Sequence, residues 1–142
     1  MDAIIKEKIS ADHLLYVSLK YTKTCDVIVN LLHRWAKMIE MAMDHLVLDA
    51  KKKKKWKPVP EAPKAKLIQL KKIHAKTSEV FSALELYEFF REIDRLEKVR
   101  ESEFRKGVNL KILNYKGQTI NVNLEKLAEY SETLERFISY LK

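Results

Sequence analysis

From Tyr21 onward, Cys25, Ile28, Leu32, Trp35, Ile39, Ala42 and Leu46 recur in steps that alternate four and three, with no glycine or proline between them. A repeat averaging 3.5 residues is the seam of a helix that lies against another helix. The apolar residues of this stretch fill more than one stripe, because Leu31, Met38 and Val47 fall beside the seam. A helix that is apolar on more than one face is central in its domain or shared with a second subunit. Homodimerisation through the seam residues Ile28, Leu32, Trp35, Ile39 and Leu46 is therefore expected. Trp35, Met38, Met41 and Met43 read as core and not as a cofactor pocket.

The rest of the chain favours helices as well. Hydrophobic residues make up 46% and charged residues 34%, with two glycines and three prolines in 142 residues; tight turns are few and one domain suffices. Ser10 can cap a first helix over about residues 10 to 22, with Asp12 at its positive end. A single straight helix from 10 to 52 would be roughly 60 Å long, too long for a domain with a radius of gyration of about 14 to 15 Å. The break is expected at Thr22 to Thr24, with Thr24 capping the second helix. Leu67, Leu70, Ile73, Thr77, Val80, Phe81, Leu84 and Tyr87, continued by Phe90, Ile93 and Leu96, keep helical spacing, as one helix or as two with a bend at Thr77 or Ser78.

The period changes at Val108. Alternation through Leu110 and Ile112, a turn at Tyr115, Lys116 and Gly117, and alternation through Ile120 and Val122 predict a β-hairpin over 108–122 with positive φ at Gly117. Asn123 then caps a last helix whose apolar face is Leu124, Leu127, Ala128, Leu134, Phe137, Ile138 and Leu141. The expected fold is all-α: a single domain over 1–142, an antiparallel bundle of four or five helices with a small hairpin before the last one.

Charge is concentrated in one place. The chain carries a net +8, and the stretch from Asp49 to Lys76 holds eleven lysines against two acids, Asp49 and Glu61. Within it, residues 51–63 form a basic, proline-containing loop. Lys51, Lys52, Lys53, Lys54, Lys55, Trp56 and Lys57 are the candidate contacts for an anionic partner, with the indole free to stack on a base while the ammonium groups meet phosphates. A solvated linker accounts for the same composition, and the run has no arginine fork for bidentate phosphate contacts.

Other chemistry finds little support. Cys25 has no second cysteine to pair with and reads as a small core residue. No two of His13, His33, His45, His74 and Cys25 stand three or four residues apart, so no metal site is expected. With only Gly107 and Gly117, a glycine-rich phosphate loop cannot form. The carboxylate pairs Glu101 with Glu103 and Asp12 with Asp26 have no distinguishing neighbours, and no cofactor is implied. Residues Met1 to Ser10 lack the apolar run of a signal peptide, and no stretch approaches a membrane span. A cytoplasmic location away from membranes is expected.

Three segments resemble the HEPN superfamily of small helical bundles. They are the capped helix from Ser10; Arg34, Trp35, Ala36, Lys37 and Met38 running into Ala42, Met43 and Leu46; and Leu96, Val99, Arg100 and Phe104. The hairpin followed by Leu124, Glu125, Ala128, Glu135, Phe137 and Ile138 is similar to archaeal members. The resemblance implies a dimer that works beside a nucleotidyltransferase or another toxin–antitoxin component. RNA-cleaving members carry an arginine followed after four to six residues by a histidine, and no arginine here is followed by a histidine at that spacing. The implied role is a non-catalytic interaction module; the alternative is a nucleic-acid-binding protein that uses the lysine loop.

Overall fold

The structure, a computed structural model, describes residues 1–142. Helix α1 begins at Asp2, not near Ser10: it runs Asp2–His13, passes through a π-helical turn, Leu14–Ser18, and closes with one α-turn, Leu19–Tyr21. Ile4, Ala11 and Leu19 are its buried side chains, so the N-terminal isoleucines help to anchor it. The chain then breaks at residues 22–24, as the length argument requires. Thr24 is extended, and its hydroxyl oxygen accepts the Val27 N–H at 3.3 Å to cap α2, Cys25–Lys52.

Helix α2 is the axis of the fold. All seven seam residues from Cys25 to Leu46 are buried, and so are Leu31, Met38 and Val47. The second stripe is explained inside one chain: α1 covers one side of α2, while α3 (Pro63–Ile73) and α4 (Ser78–Glu92) cover others. Trp35, only 2% exposed, stacks on Phe90 at 5.9 Å and meets the edge of Tyr130 at 6.4 Å. Tyr130 lies on the last helix, α5, Leu124–Leu141, so one indole ties three helices together.

The third helical stretch is two helices, with the bend at residues 74–77. Tyr87 donates to Glu40 at 2.9 Å and His33 meets Asp94 at 2.8 Å, which sets α4 antiparallel to α2. Helix α3, in contrast, runs in the same direction as α2: Lys66 reaches Asp44, and His74 at its end senses Asp49, Lys53 and Lys55. The expected antiparallel bundle is corrected on this point. The loop after Lys52 doubles back before α3 starts, and that loop is long enough to allow it.

The all-α expectation also needs correction. After α4 a short 3-10 turn, Ile93–Arg95, leads into a strand, β1 (Glu97–Glu101), which pairs with β2 (Asn109–Leu113); β2 in turn pairs with β3 (Thr119–Asn123). The result is a three-stranded antiparallel sheet in the order β1, β2, β3, with Glu101 opposite Asn109 and Asn109 opposite Asn123. The predicted hairpin over 108–122 is its second half, with Gly117 at φ +75°. An isolated hairpin is marginal in water, and the third strand together with burial of Leu110, Ile112 and Val122 supplies what it lacks. Leu96 is therefore the last residue before a strand and not a helical position. Asn123 caps α5 as expected, its side-chain oxygen accepting the Lys126 N–H at 2.8 Å. One apolar cluster takes residues from every helix and from β2 and β3. No helix is long and apolar enough to cross a membrane.

Candidate functional site

The lysine run does not form a free loop at its start. Lys51 and Lys52 are the last residues of α2, where positive charge complements the carbonyl end of the helix dipole. The helix closes in a Schellman turn: Lys55 N–H bonds to Ala50 O at 2.9 Å and Lys54 N–H to Lys51 O at 3.1 Å. Lys54 takes the left-handed position, φ +56°, where glycine is the ordinary occupant.

Three of the eleven lysines are neutralised. Lys53 pairs with Asp49, Lys66 with Asp44 and Glu61, and Lys71 with Glu88. The other eight, among them the exposed Lys51, Lys52, Lys54, Lys55 and Lys57, have no carboxylate partner. Because α3 runs alongside α2, Lys72 and Lys76 near its end join the same corner of the molecule. The crowding is felt at His74: burial lowers its pKa below the usual histidine range, and Lys53 and Lys55 lower it further against the opposing pull of Asp49. Burial and the neighbouring positive charge thus both favour the neutral imidazole.

Trp56 does not behave as expected. It is half-buried and packs against the hydrophobic core, so its ring anchors the loop and is not a free platform for a base. The predicted seam residues Ile28, Leu32, Trp35, Ile39 and Leu46 are likewise enclosed within the single chain. Association of two copies would have to use other residues.

A second cluster lies at the opposite end of α2, whose 28 residues span about 42 Å. The turn after β1 folds over the start of the helix. Arg100 donates to Asp26 at 2.6 Å and to Glu103 at 3.3 Å, and Glu103 accepts the Cys25 N–H at 3.1 Å. The hydrogen bond from Arg100 and its charge hold the Asp26 carboxyl below the usual carboxylate range. Burial pushes the Cys25 thiol up, and its Sγ meets Asn109 O at 3.3 Å; a thiol so placed is a packing group and not a nucleophile.

Two non-glycine residues of this turn are left-handed, Ser102 at φ +53° and Phe104 at φ +66°. Phe104 N–H donates to Lys23 O at 2.6 Å. The ring itself is 74% exposed, and Tyr21, two residues before Lys23, is 78% exposed. Lys20 lies over the Tyr21 ring at 5.9 Å, and Arg105 and Lys106 follow Phe104 directly. Tyr21 and Phe104 were not among the expected site residues, although each is flanked by basic residues in the sequence. Folding joins the two stretches through the Phe104 N–H to Lys23 O bond, which nothing local to either reveals.

Elsewhere the outer face of the sheet is polar. Asn109 donates to Glu101 and to Asn121, while its own buried side-chain oxygen has no partner. No group of three or more histidine, cysteine or acidic side chains is arranged to hold a metal ion. No family model, no curated protein and no solved structure matches the chain.

Proposed function

We propose that this protein binds nucleic acid without cleaving it, using the lysine corner where α2 and α3 end. The observation that carries the reading is the uncompensated charge: of the eight lysines without a carboxylate partner, seven lie in the 51–63 loop or near the end of α3, and Lys64 stands at the start of α3. Lys54 adds to it. A lysine in a left-handed turn costs more than a glycine would, and strain of this kind accumulates where side-chain identity matters. Phosphate neutralisation by lysine releases counterions, so binding falls steeply with salt. Replacing Lys51 to Lys55 by glutamine is expected to remove most of the affinity and, since Lys53 is already paired with Asp49, to flatten the dependence of log K on log salt by as much as about 3 to 4. Fluorescence anisotropy with labelled oligonucleotides measures both, and unchanged binding by that variant refutes the proposal.

The second reading is a dimeric HEPN-like interaction module, with a nucleotidyltransferase or another toxin–antitoxin component as partner. It is favoured by the exposed apolar residues Ile9, Tyr16 and Val17 along α1, which a second copy would cover. Light scattering at micromolar concentration distinguishes it, since a monomer there removes its support.

A further inference from the structure

The joint between α1 and α2 carries a second contact surface, and its chemistry differs from that of the lysine corner. There the Phe104 N–H bonds to Lys23 O, two residues beyond Tyr21; both rings are exposed, and Lys20, Arg105 and Lys106 flank them in the sequence. The lysine corner offers charge without an available aromatic face, because Trp56 is packed against the core. The joint offers both. Neither Lys20, Arg105 nor Lys106 makes an ion pair with a side chain, and the acids Asp26 and Glu103 are engaged by Arg100, while Lys106 borders a polar cleft that Glu101 and Glu125 also line. Lys20 and Arg105 are thus the charges free for an anion.

The Phe104 ring is held outward at a cost. Its backbone is left-handed, it is flanked two residues earlier by left-handed Ser102, and it is fixed by the hydrogen bond to Lys23 O. Hydrophobic burial does not explain the arrangement, since the ring lies in solvent. Exposed aromatic faces interleaved with basic side chains hold single-stranded nucleic acid, because every unstacked base has a π-face and every linkage a phosphate. A duplex keeps its bases stacked and offers no such face.

We infer that Tyr21 and Phe104 form a stacking platform for the bases of a single strand. The inference rests on the proposed nucleic-acid binding and adds the preference for single strands over duplex. Even at the stacked spacing of about 3.4 Å per nucleotide, roughly 12 nucleotides cover the length of α2, and an unstacked strand needs fewer, so oligonucleotides of about 20 reach both ends.

The test compares the wild type, a Tyr21→Ala/Phe104→Gly variant and the Lys51 to Lys55 glutamine variant. Each is titrated against oligothymidylate, a duplex of equal length, and polyglutamate of matched charge. Glycine at 104 also relieves the left-handed backbone, so loss of folding does not confound the result; circular dichroism checks this. The ring variant should bind the single strand about 10-fold or more weakly, because each ring removed takes away the face on which a base stacks, with duplex binding and salt slope unchanged. Unaltered single-strand affinity in that variant overturns the platform while leaving the lysine reading standing. An unaltered affinity in the glutamine variant overturns the lysine reading instead. Polyglutamate bound by the wild type as tightly as oligothymidylate also overturns the platform, because charge alone then accounts for binding.

Discussion

Glu103 accepts the backbone N–H of Cys25 at 3.1 Å across 78 residues of sequence. With Thr24 accepting the Val27 N–H, the first turn of α2 is capped both by its neighbour and by the turn that follows β1. A carboxylate there also faces the positive end of the helix dipole. Glu103→Ala should cost about 1 kcal/mol in urea denaturation. Glu103→Gln, which keeps the acceptor oxygen, should recover part of that loss. Equal losses in both variants would mean that charge alone matters at this position.

Lys54 occupies a turn position that suits glycine. Lys54→Gly should raise stability by up to about 1 kcal/mol and reduce the salt slope of nucleic-acid binding by about 1. Opposite signs for stability and affinity in one substitution are the mark of a residue retained for function at the expense of the fold. Parallel urea and anisotropy titrations provide both values.

His74 has a depressed pKa because it is partly buried and faces Lys53 and Lys55. The unfolded chain therefore takes up a proton at a higher pH than the folded one. Stability is unaffected by this group above its ordinary pKa of 6.5, falls as the pH drops below that value, and levels off once the pH is below the folded value. Thermal melts between about pH 5 and 8 should show the decline in the wild type and a flatter profile in His74→Gln.

Trp35 is core to a single chain. Trp35→Ala should cost about 3 to 5 kcal/mol, since the indole touches Phe90 and Tyr130 and leaves a cavity between three helices. The milder Trp35→Phe should keep the same elution volume in size-exclusion chromatography as the wild type. A shift in that volume would place the residue in an interface after all.

The helical framework was legible because its signal is periodic and dense. The seam from Cys25 to Leu46, the Thr24 and Asn123 caps and the Gly117 turn all appear where local patterns put them. Strand β1 was not legible. Ile93, Leu96 and Val99 keep helical spacing, and the segment Glu97–Glu101 is mostly charged, as an exposed edge strand is. What turns it into a strand is tertiary: pairing with β2, and Lys98 Nζ donating to Ile93 O and Leu96 O at the close of the 3-10 turn. Leu96, Val99, Arg100 and Phe104, which carried part of the HEPN resemblance, lie at and beyond this switch from helix to strand. The start of α1 was misplaced because Ser10 looks like a cap, whereas buried Ile4 and Ala11 carry the helix through it. The candidate site was half legible. Its lysines stand out as a run, but the packing of Trp56 and the joining of the Phe104 turn to Lys23 depend on contacts between distant parts of the chain.

The five-residue π segment Leu14–Ser18 holds one residue more than an α-helix needs over the same span. In a regular helix Leu19 would sit about 80° around from Ala11; the wider turn absorbs that offset, and both end up out of solvent. Tightening the segment into ordinary α-turns with all five residues kept would rotate everything after it by about 80°, withdrawing Leu19 from its seat and carrying Tyr21 round with it. Removing one residue would instead leave Leu19 in phase, because seven residues bring an α-helix back to within about 20° of its starting direction. The surplus residue acts as a phase adjuster, and the aim of an aromatic side chain at one end of the molecule depends on the winding of a helix a full turn earlier.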